Sequence, residues 1–227
     1  MCSRYTLSAP PDAVRAFFAY REHPNFPARY NIAPTQPVPV VIRGDEGVPE
    51  FVLMRWGFIP AYVKGDERPP VLINARSETV AEKPAFRAAF KRRRCLLPAD
   101  GFYEWTGAKG AKRPFLLDRP DGGLFGFAGI WECWQDRKNG GEIDTVAILT
   151  CGPNKVVSRL HDRMPVILQP EQFEAWLGGE ETEAENAKAL MAPAPDDFLQ
   201  ATEMDPKINN SKLDEPGIQQ PVQPALL

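Results

Sequence analysis

Proline is spread through this chain at a density that few regular folds accept. It makes up 24 of the 227 residues, roughly double the usual share of about 5%. Each proline lacks a backbone donor and fixes φ, so it ends or kinks a helix and is confined to edges and bulges of sheets. A helix bundle is therefore excluded, and short strands joined by turns are favoured. The apolar fraction, 43%, still provides a sizeable core, and 25% charged residues is ordinary, which excludes a wholly disordered chain.

The order of segments fits that reading. Residues 11–20, PDAVRAFFAY, start with Pro-Asp and space apolar residues as a helix does. VPVVI and EFVLMRWGFIP read as strands, the second ended by Pro60, with a polar loop over 61–70. VLINARSETV reads as a strand running into a turn. Residues 84–94, PAFRAAFKRRR, read as a short helix whose cationic end is a solvated complement to the helix dipole. CLLPADGFYEW reads as strand, Pro-Ala-Asp-Gly turn and strand; PFLLD, LFGFAGIWECW and DTVAILTC are further strands. HDRMPVIL turns into a strand, PEQFEAWLGG is a helix closed by glycines, and 180–190 is helical. The tail is polar, with a strand-like piece near 207–209. Without a repeat or a long linker, residues 1–227 are expected to form one α+β domain.

Lys and Arg number 27 against 30 Asp and Glu, a net charge of 27 − 30 = −3. That excludes a globally basic nucleic-acid binder but not a locally basic face. No stretch approaches the roughly 18 apolar residues of a membrane span, and the first residues lack a signal-peptide core, so an intracellular location is expected. Cys2, Cys95, Cys133 and Cys151 form no C-x-x-C pair, and His23 and His161 are the only histidines. Neither disulfides nor a metal site is expected, and the last three cysteines read as buried apolar fillers.

Position 2 carries the sharpest chemistry. An initiator methionine is removed when the next side chain is small, which would leave Cys2 with an α-amine and a thiol on adjacent carbons. Their reference pKa values, about 7.7–8.0 and about 8.5, make both nucleophiles partly available near neutral pH. An amine condenses with an aldehyde, and a thiol one carbon away then closes a five-membered ring. The plain alternative is a frayed terminus. Glu104, between Tyr103 and Trp105, is either a solvent-facing strand residue or a desolvated carboxyl with a raised pKa that shuttles protons. Asn74 is a strand-end turn residue or an amide that orients an amine or sugar. His161, in LHDRMP, is a surface histidine or a group that titrates near neutrality. Arg4, Arg76 and Arg163 each lie within two residues of one of these groups, where arginines suit phosphates.

The pieces MCSRYT, RYNIAPTQ, MRWGFIP, INARSET, FRAAFKRRRCLLPADGFYEW, FAGIWE, ILTCGPN, HDRMPVIL and INNSKLDEPGIQQP resemble, in order, the SRAP family of SOS response-associated peptidases, or abasic site processing proteins. The resemblance implies a single α+β domain with a β-barrel-like core, short flanking helices and a basic DNA-binding channel. It implies a DNA-damage protein that crosslinks to abasic sites in single-stranded DNA through Cys2, as a thiazolidine formed by way of a Schiff base. It also implies removal of Met1, hence the peptidase label. Carried over, Asn74, Glu104 and His161 join Cys2 as catalytic residues. Arg4, Pro34, Arg76, Thr150 and Arg163 fall at DNA-binding positions. No cofactor or metal is implied, and the partner is abasic single-stranded DNA met by a monomer in the cytoplasm, at the nucleoid in a bacterium. Residue 3 is Ser where the family usually has Gly, and Tyr62-Val63 stand where relatives often carry bulky aromatics. Two other functions use the same residues: a thiol peptidase with a Cys2–His161 pair, and a noncovalent single-strand-binding module using Trp56, Tyr62 and the arginines.

Overall fold

The computed structural model describes residues 2–63, 70–108, 110–136, 140–178 and 181–222. Its strands are β1 (Tyr5–Leu7), β2 (Arg29–Ile32), β3 (Pro37–Arg43), β4 (Pro49–Trp56), β5 (Asn74–Arg76), β6 (Arg94–Ala99), β7 (Gly101–Thr106), β8 (Arg113–Asp118), β9 (Phe125–Asp136), β10 (Gly141–Cys151), β11 (Met164–Pro165), β12 (Ile167–Leu168) and β13 (Gln200–Glu203). Four helices flank them: α1 (Pro11–Phe18), α2 (Arg87–Arg92), α3 (Pro170–Leu177) and α4 (Glu181–Ala189). The fold is α+β, as the strand-and-turn rhythm predicts.

Five strands close on themselves. β4 pairs β3, β3 pairs β6, β6 pairs β9 and β9 pairs β10. β10 returns to β4 in parallel, Thr145 opposite Arg55. A closed ring leaves no free edge, and it takes Pro39 of β3 and Pro98 of β6 into its ladders. Gly129 lies where β6, β9 and β10 crowd together. A Cβ there would sit 2.5 Å from Leu97 Cδ1 and 2.9 Å from Cys95 Sγ, so only glycine lets the three strands approach. β4 ends at Trp56, just before Gly57, whose φ of +142° few side chains tolerate.

A second sheet, in the order β13-β8-β7-β1-β2, lies against this barrel. Rings fasten the two together: Tyr5 on β1 meets Trp56 at 5.3 Å and Phe127 at 5.6 Å, and Phe102 on β7 meets Phe127 at 6.0 Å. Tyr5, Trp56, Phe102 and Phe127 are all fully buried. The first strand of the chain is thus an interior strand, held between β2 and β7.

Several sequence expectations change. CLLPADGFYEW holds the two expected strands but not the four-residue turn between them: Pro98 and Ala99 lie within β6, Gly101 opens β7, and only Asp100 separates the two. β6 joins the barrel and β7 the second sheet, so the chain changes sheets at Asp100. The helix over 84–94 is shorter, because Pro84 to Phe86 form turns. Its cationic end is not all solvated. Arg94 is 3% exposed and caps two helix ends, donating to Phe90 O at 2.9 Å, Lys91 O at 3.1 Å, Trp176 O at 2.7 Å and Gly178 O. Residues 207–209 are a 3₁₀ turn, Pro206–Asn209, started by proline and capped by Asp205, which accepts from Lys207 N; the tail strand is β13. Gly178 ends α3 without a left-handed turn, at φ −46°. Cys95 and Cys151 are buried fillers, whereas Cys133 is only half-buried. The loop expected over 61–70 falls outside the described residues at 64–69.

Candidate active site

β1 sets the site because its far end is pinned. The Asp100 carboxylate accepts from Ser8 N at 2.5 Å, Ser8 Oγ at 2.7 Å, Ala9 N at 3.0 Å and Thr6 Oγ1. Upstream of β1, Tyr103 N donates to Arg4 O at 3.0 Å, and the Cys2 thiol donates to the same oxygen at 3.6 Å. Cys2 is completely buried. Burial pushes its thiol well above the usual range, and the nearby Glu104 charge adds to the rise.

Glu104 is the fourth residue of β7 and is 2% exposed, so its inward position replaces the solvent-facing reading. Burial lifts its carboxyl to about 7, against the pull of the positive charge at the chain's amino terminus. A carboxyl that titrates near neutrality can both give and take a proton. Asn74 opens β5, which lies parallel to β10 with Asn74 opposite Ile148. Its Nδ2 donates to Cys2 O at 2.8 Å, while its Oδ1 is buried without a hydrogen-bond partner among the described residues.

The carboxyl end of β10 gathers the rest. Thr150 lies opposite Arg76 of β5 on one side and Pro165 of β11 on the other. Arg163 donates through Nη2 to Thr150 O at 2.5 Å and approaches Thr150 Oγ1 at 3.3 Å. The same guanidinium forms a two-pronged ion pair with Glu78, 2.5 Å from Nη1 to Oε1 and 2.9 Å from Nη2 to Oε2. His161 follows a 3₁₀ turn, with its N–H on Val157 O at 2.9 Å. His161 Nδ1 accepts from Arg163 N at 3.0 Å and lies 2.8 Å from Asp162 Oδ1. Burial, followed by the positive amino terminus, lowers the imidazole pKa, while Asp162 works the other way. The Glu104 charge raises the Cys2 thiol and the Asp162 charge, beside His161, raises Glu104, so Cys2 and Asp162 both lie within reach of the Glu104 carboxyl.

Arg4 is half-buried and donates through Nη1 to Asn31 Oδ1 at 2.8 Å and Ile208 O at 3.4 Å. Its guanidinium lies 5.9 Å from the Trp105 ring centre. Ser3, Arg4, Trp105, Lys112, Arg113 and Asn209 line an open cavity of about 680 Å³. Pro34 stands on the turn after β2, whose antiparallel register, Tyr5 opposite Ile32, sends it toward the amino-terminal end of β1. Arg76 ends β5 exposed. The structure therefore groups Asn74, Arg76, Thr150 and Arg163 around the end of β10, with Cys2 joined to Asn74 and Arg4 reached along β1. Sequence reading missed Asp100, Asn31 and Glu78. The signal available was weak: a carboxylate in a turn-like PADG, an amide inside the apolar RYNI, and a second charge in NARSE.

A model of the SOS response associated peptidase (SRAP) family matches residues 1–211. The chain belongs to the SRAP family. Among its SRAP relatives, the abasic site processing protein YoqW of Bacillus subtilis is 34% identical over 222 residues, covering 96% of this chain and 98% of that protein. The abasic site processing protein HMCES of Gallus gallus is 30% identical over 236 residues, covering 86% of this chain and 70% of that protein. A crystal structure of a protein from Bacteroides thetaiotaomicron superposes with a TM-score of 0.85 at 26% identity, covering 98% of this chain and all of that one. The SRAP fold thus accounts for the barrel, the second sheet and most of the tail.

Proposed function

We propose that this protein captures abasic sites in single-stranded DNA as a covalent thiazolidine on Cys2. The observation that carries the reading is the junction of Cys2, Asn74 and Glu104: a cysteine beside the chain terminus, its carbonyl held by an amide, next to a carboxyl titrating near 7. The names of the relatives, abasic site processing proteins, support the substrate.

The chemistry balances without an oxidant or cofactor. Hydrolysis of the Met1–Cys2 bond frees the Cys2 amine. That amine adds to C1′ of the ring-opened abasic sugar, and loss of water gives the imine. The thiol then adds across the C=N bond, with its proton passing to nitrogen. Glu104, near its own pKa at neutral pH, delivers and removes protons in the condensation. His161, held uncharged near neutrality, serves ring opening of the sugar. Arg4, Arg76 and Arg163 take phosphates, with Thr150 and Pro34 beside them. The buried, high-pKa thiol suits addition to an imine formed first by the amine. It does not suit a thiol peptidase, which needs a thiolate beside an imidazolium.

Incubation with single-stranded DNA carrying one abasic site, followed by a denaturing gel, tests the reading. Wild type is expected to give a heat-stable adduct, and Cys2→Ala none, while undamaged DNA is still bound. An uncleaved amino-terminal tag is expected to block the adduct because it keeps the amine acylated. Adduct formation by Cys2→Ala or by the tagged protein would overturn it.

A further inference from the structure

Arg4 and Arg163, both read as phosphate grips, are held in opposite ways. Among the described residues Arg4 is held by uncharged acceptors, Asn31 Oδ1 and Ile208 O, so its positive charge stays uncompensated. Arg163 instead gives both terminal nitrogens to the Glu78 carboxylate. That fork geometry is the one a guanidinium offers a phosphate. The carboxylate therefore occupies the place a phosphate would take. The hydrogen bonds from Arg163 hold the Glu78 carboxyl below its usual range against the burial that opposes them, and Arg76 adds a smaller pull. One carboxylate thus offsets the charge of Arg163.

The two partners differ in freedom. The Arg163 side chain is 14% exposed and is tied to Thr150, whereas the Glu78 side chain is 52% exposed. Glu78 can swing into water while Arg163 stays in place. A half-exposed pair of this kind contributes little to stability, so an arriving phosphate can displace it.

We propose that Glu78 is a specificity-determining residue, a built-in phosphate surrogate on Arg163 that weakens the hold on undamaged single strands. The inference rests on the abasic-site reading. It implies that residence on DNA is decided by the covalent bond at the lesion rather than by phosphate contacts elsewhere. Tight binding to every exposed strand would trap the protein on undamaged DNA, and a displaceable internal anion opposes this without removing the arginine.

The test compares Glu78→Gln with Glu82→Gln. Both remove one negative charge, and Glu82 lies exposed four residues further on. Binding of an undamaged oligonucleotide is followed by fluorescence anisotropy across a salt series. Glu78→Gln is expected to bind about 3–10-fold tighter near 0.1 M salt, as a freed charge-assisted fork allows. Its log–log salt slope should steepen by up to about 0.7, one phosphate on a single strand. Glu82→Gln should change affinity less than about twofold, and in an Arg163→Ala background Glu78→Gln should do no more than that. With undamaged DNA in excess, Glu78→Gln should crosslink abasic DNA more slowly than wild type. If Glu78→Gln binds no tighter than Glu82→Gln, or more weakly, Glu78 is only a prop for Arg163 and the inference is overturned, even though wild type still forms the adduct. A wild type that forms no adduct would instead overturn the abasic-site reading.

Discussion

Asn74 Nδ2 donates a 2.8 Å hydrogen bond to the carbonyl oxygen of Cys2. This one contact ties the start of the chain to β5 and, through the pairing of β5 with β10, to the closed barrel. Since Cys2 precedes β1, nothing in the sheet fixes its carbonyl directly. The amide does so from the other layer.

Asn74→Ala should therefore slow adduct formation by about 3–10-fold, the worth of one hydrogen bond of about 0.5–1.5 kcal/mol. The shape of the pH–rate profile should not change, because the amide carries no proton in the reaction. Asn74→Asp should be at least as slow, since a carboxylate cannot donate to the carbonyl. Single-turnover rates across pH decide it. An Asn74→Asp variant as fast as wild type would show that the contact does not orient Cys2.

Glu104→Gln separates proton transfer from packing. The change keeps size and removes the titration near 7. Crosslinking should slow by about 10²-fold or more, and the contribution of a carboxyl near 7 should drop out of the pH profile, leaving that of the Cys2 amine. Stability should move the other way. The folded state holds the Glu104 proton more tightly than the unfolded chain, whose carboxyl titrates near 4.5. Wild type therefore loses stability as pH rises from about 4.5 through about 7. Glu104→Gln lacks this loss, so its melting temperature should gain on wild type over that window. Parallel melting curves for the two proteins would count against a buried carboxyl.

Local elements were legible because their signals are local. Pro11-Asp12 starts α1 and the β-branched VPVVI forms β3. The pairings were not. Asp100 reads as part of a turn because its partners, Thr6 and Ser8, stand more than 90 residues away. Position and residue type marked Cys2 and Glu104 only as candidates, each with a plain alternative, whereas burial, which only the assembled sheets create, lifts Glu104 to about 7. Glu78 was invisible as a phosphate surrogate because its Arg163 lies 85 residues on. His161 could be named as a titrating group, but sequence could not say that Asp162 points outward, 87% exposed, while the Arg163 side chain turns in.

Asp100→Ala tests the clamp on β1. The substitution strands two backbone donors, Ser8 N and Ala9 N, and two hydroxyls. Stability should fall by about 2–3 kcal/mol, read from the denaturation midpoint in urea. Adduct formation should fall as well, because slack in β1 reaches Cys2. An unchanged midpoint would mean that the sheet pairings of β1 suffice without the carboxylate.

Asn31 tests whether the tail takes part in gripping DNA. It is completely buried on β2. Its Nδ2 serves three tail carbonyls, Ile208 O at 3.3 Å, Asn210 O at 3.1 Å and Leu213 O at 2.9 Å. Its Oδ1 receives Arg4. The Asp214 carboxylate clasps the same strand, accepting from Tyr30 N at 2.5 Å, Asn31 N at 2.9 Å and Arg29 Nε. Asn31→Ala removes the amide bridge between tail and Arg4 but leaves the Asp214 clasp and the longer Arg4–Ile208 O contact, so the fold should survive with a loss of about 1–3 kcal/mol. Arg4 then loses its shortest hydrogen bond while keeping its charge. Affinity for single-stranded DNA should drop toward that of Arg4→Ala, and the double variant should bind no worse than Arg4→Ala alone, since the two residues act as one unit. Anisotropy titrations of the four proteins give the coupling directly. If the two losses simply add, Asn31 supports the tail and Arg4 finds its phosphate without it.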